Sequence, residues 1–211
     1  SKYNFCRNVS VLCRLVVSVP LIIMAELALA IEIDPLEYNV MSTILAHGVE
    51  GTKGTLLIDE KTTIAPSVLG DPKRALAVIA DELSLSVELL SAWKKATVKE
   101  YVLQENFDLP ISYRFLTSKE RATFFDHGAE LSDPTLGWER LNRSFPDAVG
   151  IVRVSRAALN EAQNVATMYV EFECGAYCGS GRMVIAERET QDVWRVVSGQ
   201  LIWLTTEQTN D

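Results

Sequence analysis

The residues of this chain whose types and spacing could do chemistry fall into three groups. Cys174 and Cys178 stand among Gly175, Gly179 and Gly181. Two thiols this close can form a disulfide, act as a redox dithiol, or contribute to a metal site. No lysine, histidine or helix start lies nearby in sequence to stabilise a thiolate, and zinc needs four ligands, which no second cysteine pair or histidine supplies at suitable spacing. The expectation is a disulfide across a strand-to-strand turn, with the glycines supplying positive φ. His127 is the second group. Asp126 and Glu130 are close enough to orient its imidazole for general-base work. No Gly-x-Ser-x-Gly elbow offers a nucleophile, and the plainer reading is a histidine bonding to the last carbonyls of a short helix. His47, beside Gly48, reads the same way. The third group is Glu171 and Glu173, alternate residues of one expected strand, with Glu187 able to lie opposite. Such a face suits acid–base chemistry, or a solvated or partner-binding surface. Trp138, Trp194 and Trp203 read as core and sheet anchors rather than a ligand box. Gly179-Ser-Gly181 lacks the following lysine of a phosphate loop and precedes a strand. No metal site and no cofactor is expected.

The elements that must position these residues follow from periodicity. Asp34-Pro35-Leu36-Glu37 reads as a helix start, with Asp34 capping, Pro35 in the first turn and Glu37 completing a capping-box pattern. Tyr38, Met41, Ile44 and Leu45 form one buried stripe that ends near Gly48. Thr55 to Asp59 reads as a strand, and Thr62 to Pro72 as a loop. Leu76, Ile79, Leu83, Val87, Leu90 and Trp93 keep helical spacing, as one long helix or two divided at Ser84 or Ser86. Thr117-Ser-Lys-Glu120 is a second capping box, opening a helix to about Asp126, and a further helical turn is expected around Trp138 to Arg143. After Pro146 the period changes to that of strands: Val149 to Leu159, Asn164 to Cys174, Arg182 to Arg188 and Val193 to Leu204. Ala166, Met168, Val170 and Phe172 share one face, and Thr167, Tyr169, Glu171 and Glu173 the other. Helices followed by a meander predict an α+β domain in which helices pack on a curved antiparallel sheet.

Ahead of this domain, Lys2, Arg7 and Arg14 lead into the apolar run Leu15 to Ala25, and Glu26, Glu32, Asp34 and Glu37 follow. Basic before and acidic after predicts an N-terminus kept in the cytoplasm and a C-terminal domain carried across the membrane. Residues 1–33 are read as a signal-anchor or transmembrane helix and 34–211 as one extracytoplasmic domain. Val9 to Ile33 would give about 37 Å of helix at about 1.5 Å per residue, against a hydrocarbon core of about 30 Å. Arg14 and Glu26 lie near the ends of that span, Pro20 kinks it, and all three suit contact with a protein neighbour as well as lipid. Ala28-Leu29-Ala30 leaves cleavage as the alternative. The chain carries 28 acidic and 20 basic residues. Three of the basic ones precede the domain, so a general basic surface for nucleic acid is excluded.

Taken together, Trp138, Phe145-Pro146, Gly150, Ser155, Tyr169-Val170, Cys174-Gly175, Cys178-Gly-Ser-Gly181, Glu187, Trp194-Arg-Val-Val197 and Trp203 resemble a family of uncharacterised exported bacterial proteins. In that family a Cys-Gly-x-x-Cys-Gly-x-Gly turn precedes a strand and Trp-containing strands close the domain. The likeness covers the C-terminal third well and the Tyr38 helix, the Leu56-Leu-Ile58 strand and the Leu116 to Glu120 turn loosely; Thr205 stands where serine is expected. It implies export and fold, and no activity. The functional expectation is a non-catalytic, membrane-anchored periplasmic domain serving as an accessory subunit of a membrane complex. Its partners would be membrane proteins met through the N-terminal helix and the acidic surface. The alternatives are a small-ligand binding module on a concave sheet, and a secreted hydrolase using His127 with a carboxylate.

Overall fold

The computed structural model describes residues 32–64, 81–83, 85–125 and 133–205. The chain first turns helical where Asp34 allows it. The Asp34 carboxylate accepts the Leu36 N–H at 2.8 Å, and Pro35 begins α1, Pro35–Gly48. Glu37 does not close a capping box. Its carboxylate is buried and takes both Arg156 nitrogens instead, with Arg156 Nε at 3.0 Å. The expected stripe Tyr38, Met41, Ile44 and Leu45 is buried, and so is Ile33, the last residue of the apolar N-terminal span.

Strand β1 is Thr55–Asp59, α2 Val87–Ala96, β2 Ser112–Leu116, α3 Ser118–Phe125 and α4 Thr135–Ser144. β3 is Ala148–Val154, β4 Ala158–Leu159, β5 Val165–Gly175, β6 Cys178–Thr190 and β7 Val193–Thr205. Among the described residues these strands form one sheet in the order β2-β1-β3-β5-β6-β7, with β4 paired to β5. The fold is α+β and ends in the expected antiparallel meander, but the sheet is mixed rather than antiparallel throughout. β1 runs parallel to both β2 and β3. Parallel neighbours need long, usually helical, crossovers, and the segment containing α2 and the pair α3–α4 provide them. The break expected at Ser84 or Ser86 falls at Ser86, whose hydroxyl caps α2 by accepting the Leu89 N–H at 3.1 Å. The capping box at Thr117 forms in full: the Glu120 N–H donates to Thr117 Oγ1 at 3.1 Å, and the Thr117 N–H to Glu120 Oε2 at 2.9 Å. Strand β2 was not expected, and the strand expected to run unbroken from Val149 to Leu159 is interrupted. At Ser155 the chain turns inward, its hydroxyl accepting both the Tyr169 N–H (2.9 Å) and Trp93 Nε1–H (3.0 Å).

Alternation along the strands gives two apolar layers. One face carries Leu56, Ile58, Val152, Val154, Ala166, Met168, Val184 and Ala186 and packs under α1. The other is covered at two places: Tyr169, Met183 and Ile185 meet Leu89 and Trp93 of α2, while Leu57, Leu116 and Ile151 meet Phe124, Trp138 and Leu141 of α3 and α4. The assignment of Tyr169 and Glu171 to the face opposite Met168 and Val170 therefore holds. Glu171 is buried on its face, which there is not the solvated surface expected.

Candidate functional site

Among the described residues, two of the places that gather polar groups bear on the expected site residues. The first lies on the helix α2–α4 face, in the gap between its two apolar patches. Strand pairing sets Leu116 opposite Asp59, Arg153 opposite Glu171, Glu171 opposite Gly181, and Gly181 opposite Trp203. The result is a transverse row across the sheet. Arg153 bridges its neighbours, with Nε 3.2 Å from Asp59 Oδ2 and Nη1 2.8 Å from Glu171 Oε2. Arg121 reaches down from α3 to Asp59 Oδ1 (3.4 Å) and Glu173 Oε2 (3.5 Å). At the other end the Tyr169 hydroxyl donates to Glu171 Oε1 at 2.8 Å and accepts from Trp203 Nε1 at 2.6 Å.

Gly181 makes this meeting possible, because a Cβ there would overlap both Tyr169 Oη and Trp203 Nε1. Cβ at Gly179 would come within 3.2 Å of the Trp203 ring. The expectation that Gly175, Gly179 and Gly181 supply positive φ is thus corrected: among the described residues the glycines with positive φ are Gly51, Gly54 and Gly150. In the hairpin, glycine at 179 and 181 serves close approach. Glu187 is also corrected, since it pairs with Val165 and stands exposed, away from Glu171 and Glu173.

The electrostatics of the row are those of a closed network. Burial raises the Asp59 carboxyl above its ordinary 3.8, against the pull of Arg121 and Arg153, and Glu173 and Glu171 raise it further. Burial is also the main reason that the Tyr169 phenol is held above its ordinary 10.0, joined by the Glu171 charge and hydrogen bond. Three carboxylates facing two guanidiniums leave no net positive charge to attract an anion. The adjoining recess of about 170 Å³, lined by Asp59, Thr62, Ser118, Arg121 and Arg153 among others, is small. Ser118 Oγ donates to Glu60 Oε1 at 2.6 Å as part of the start of α3. This arrangement fixes α3 to the sheet, and it holds no histidine; its hydroxyl–carboxylate pairs are Ser118 on Glu60 and Tyr169 on Glu171.

The second place is a cleft of about 480 Å³ on the other face, between the C-terminal end of α1 and strands β5–β7. Its walls are Ile44, Leu45, Val49, Leu56, Val152, Val170, Phe172, Val184 and Val196, and its polar groups are His47, Ser180, Arg182 and Ser198. The size falls within the range of about 300–1,000 Å³ usual for small-molecule sites, which combine apolar walls with a few polar groups. His47, expected to be no more than a helix C-terminal residue, stands at the last turn of α1 and lines this cleft.

The Cys174 and Cys178 sulfurs are at bonding distance, with Cα atoms 5.1 Å apart, closing the β5–β6 hairpin as expected. Trp138 and Trp194 are core residues and Trp203 anchors the row. His127, Asp126 and Glu130 lie outside the described residues, and so do Arg14, Pro20 and Glu26. Among the described residues no helix is long and apolar enough to cross a membrane, and no group of three or more His, Cys, Asp or Glu side chains is placed to hold a metal ion. Asp59, Arg121, Arg153 and Arg182 were missed as site residues. For Arg153 the signal was a lone cation between Val152 and Val154 in a strand, a place where a charge needs partners.

Comparison with protein-family models, with curated proteins and with solved structures finds no match.

Proposed function

We propose that residues 33–205 form a non-catalytic binding domain whose ligand is a small, largely apolar molecule held in the cleft between α1 and strands β5–β7. The observation that carries this reading is the cleft itself: its volume, its apolar walls and the few polar groups at its rim. The self-paired charges of the row support the absence of catalysis, because each carboxylate already has an arginine within 3.5 Å. In this proposal the domain lies on the extracytoplasmic side, anchored through the residues ahead of Ile33, like the exported family that its cysteine turn resembles. The disulfide supports that location, since such bonds persist in oxidising compartments. A single experiment tests the binding reading. The uncharged dye Nile red is titrated into the full chain and into Gly199→Leu, which places a side chain in the cleft. One saturable site in the parent and none in the variant is expected; unsaturable or equal binding in both contradicts it.

A second reading, an accessory subunit of a membrane complex, draws on the apolar side chains that β7 leaves exposed, Val193, Val197, Leu201 and Leu204. Cross-linking in the native membrane followed by mass spectrometry tests it: linkages from the β7 face to one stoichiometric partner are expected, and their absence contradicts it.

A further inference from the structure

The cleft carries charge information beyond its size, and the identity of its ligand rests on the binding function proposed for it. In a chain with 28 acidic and 20 basic residues, none of the residues lining this cleft is acidic. Its one formally charged lining residue is a cation, Arg182, on β6 opposite Val170 and Leu201. Among the described residues the Arg182 side chain makes no ion pair and no hydrogen bond, whereas Arg114, Arg121, Arg153, Arg156 and Arg195 are all paired with carboxylates. Ser180, two residues along the same strand and on the same face, adds a hydroxyl beside it. The apolar walls beside them include Val170, paired with Arg182, Phe172, paired with Ser180, and Val184. A guanidinium presents a planar fork that matches a carboxylate through two parallel hydrogen bonds.

We infer that the cleft takes a free amphiphilic monocarboxylate, with its carboxylate on Arg182 and Ser180 and its hydrocarbon tail between α1 and the sheet. Gly199 fits this use. It lies opposite Val184 on β7, and a Cβ there would meet nothing closer than 3.6 Å, so the missing side chain leaves room that the fold itself does not need.

The test displaces bound Nile red from the full chain with decanoate, with decanol and with decyltrimethylammonium. The chain length is the same in all three and only the head differs. Decanoate is expected to displace the dye at concentrations about tenfold below decanol, the size of one charge-assisted hydrogen-bonded pair, and the cation is expected to be weakest. In Arg182→Gln the preference for decanoate over decanol should vanish while dye binding persists; Arg182 is exposed, so this variant keeps the fold. Equal displacement by decanoate and decanol, or a decanoate preference untouched by Arg182→Gln, overturns the inference while leaving the binding reading standing. Failure of Nile red to bind at all overturns the binding reading first, and the inference with it.

Discussion

Tyr169 shows how much of this molecule rests on single atoms. Its hydroxyl sits between Trp203 Nε1 and Glu171, and the side chain is almost fully buried. Tyr169→Phe leaves a buried donor and a buried carboxylate oxygen without their partner, which costs about 1–3 kcal/mol. Chemical denaturation of the variant, and of Trp203→Phe in a double-mutant cycle, should show the two changes to be strongly non-additive. Gly181→Ala should be at least as damaging, because the added methyl overlaps both partners at once; overpacking of this kind costs about 1–3 kcal/mol. The titrating groups act in opposite senses. Asp59, raised above 3.8 by burial, holds its proton more tightly in the folded state than in the unfolded one. It therefore weakens the fold as pH rises above 3.8, and that weakening is relieved as pH falls back towards 3.8. Glu60 and Glu120, lowered from 4.5 chiefly by their hydrogen bonds to Ser118 and Thr117, contribute stability that is present above 4.5 and lost as pH falls through their folded values. Asp59→Asn should accordingly flatten the decline in stability on the alkaline side of 3.8, read from urea midpoints across pH. The row illustrates what a sequence withholds at this scale. Glu171 and Glu173 were legible as face partners from alternation alone. Their true counter-charges, Arg153 on β3 and Arg121 on α3, depend on strand order, which no local period encodes.

At the scale of elements, the helix starts were the most legible features because their signals are local. Asp34-Pro35, Ser86 and the Thr117 box all sit where a side chain or ring satisfies the first turn. Thr117→Ala should cost about 1 kcal/mol of stability through loss of the cap, measurable by thermal unfolding. Strand β2 escaped notice because it is five residues long, and its alternation of Tyr113 and Phe115 with Arg114 is too brief to stand out after Pro110. The parallel pairing of β1 likewise depends on where the helices return the chain. The β5–β6 hairpin was legible from its cysteines, although its glycines answer to Trp203 rather than to turn geometry. Replacing Cys174 and Cys178 together by serine should cost about 2 kcal/mol, the loop-entropy value for so short a loop. Among the described residues β7 is a long edge strand, and its pairing with β6 shifts register at three places. Such bulges blunt an edge against strand addition, so a partner protein on this side would meet side chains rather than extend the ladder.

The whole molecule divides its two sheet faces between two tasks. The face under α2–α4 is closed by ion pairs and hydrogen bonds that hold the helices in place. Among the described residues the face under α1 is left open beyond Gly48, where the helix ends before the strands do. The α+β class and the meander followed from the order of periods along the chain. The cleft did not, because it arises from the difference in length between a helix and the strands it covers. Its occupancy is tested most directly by mapping backbone amide shifts of the isotope-labelled chain during titration with decanoate. Saturable changes concentrated at Val170, Phe172, Val184 and Gly199 are expected, with the Asp59–Arg153 row unmoved. Changes centred on that row, or on the exposed side chains of β7 alone, would contradict a ligand held between α1 and the sheet.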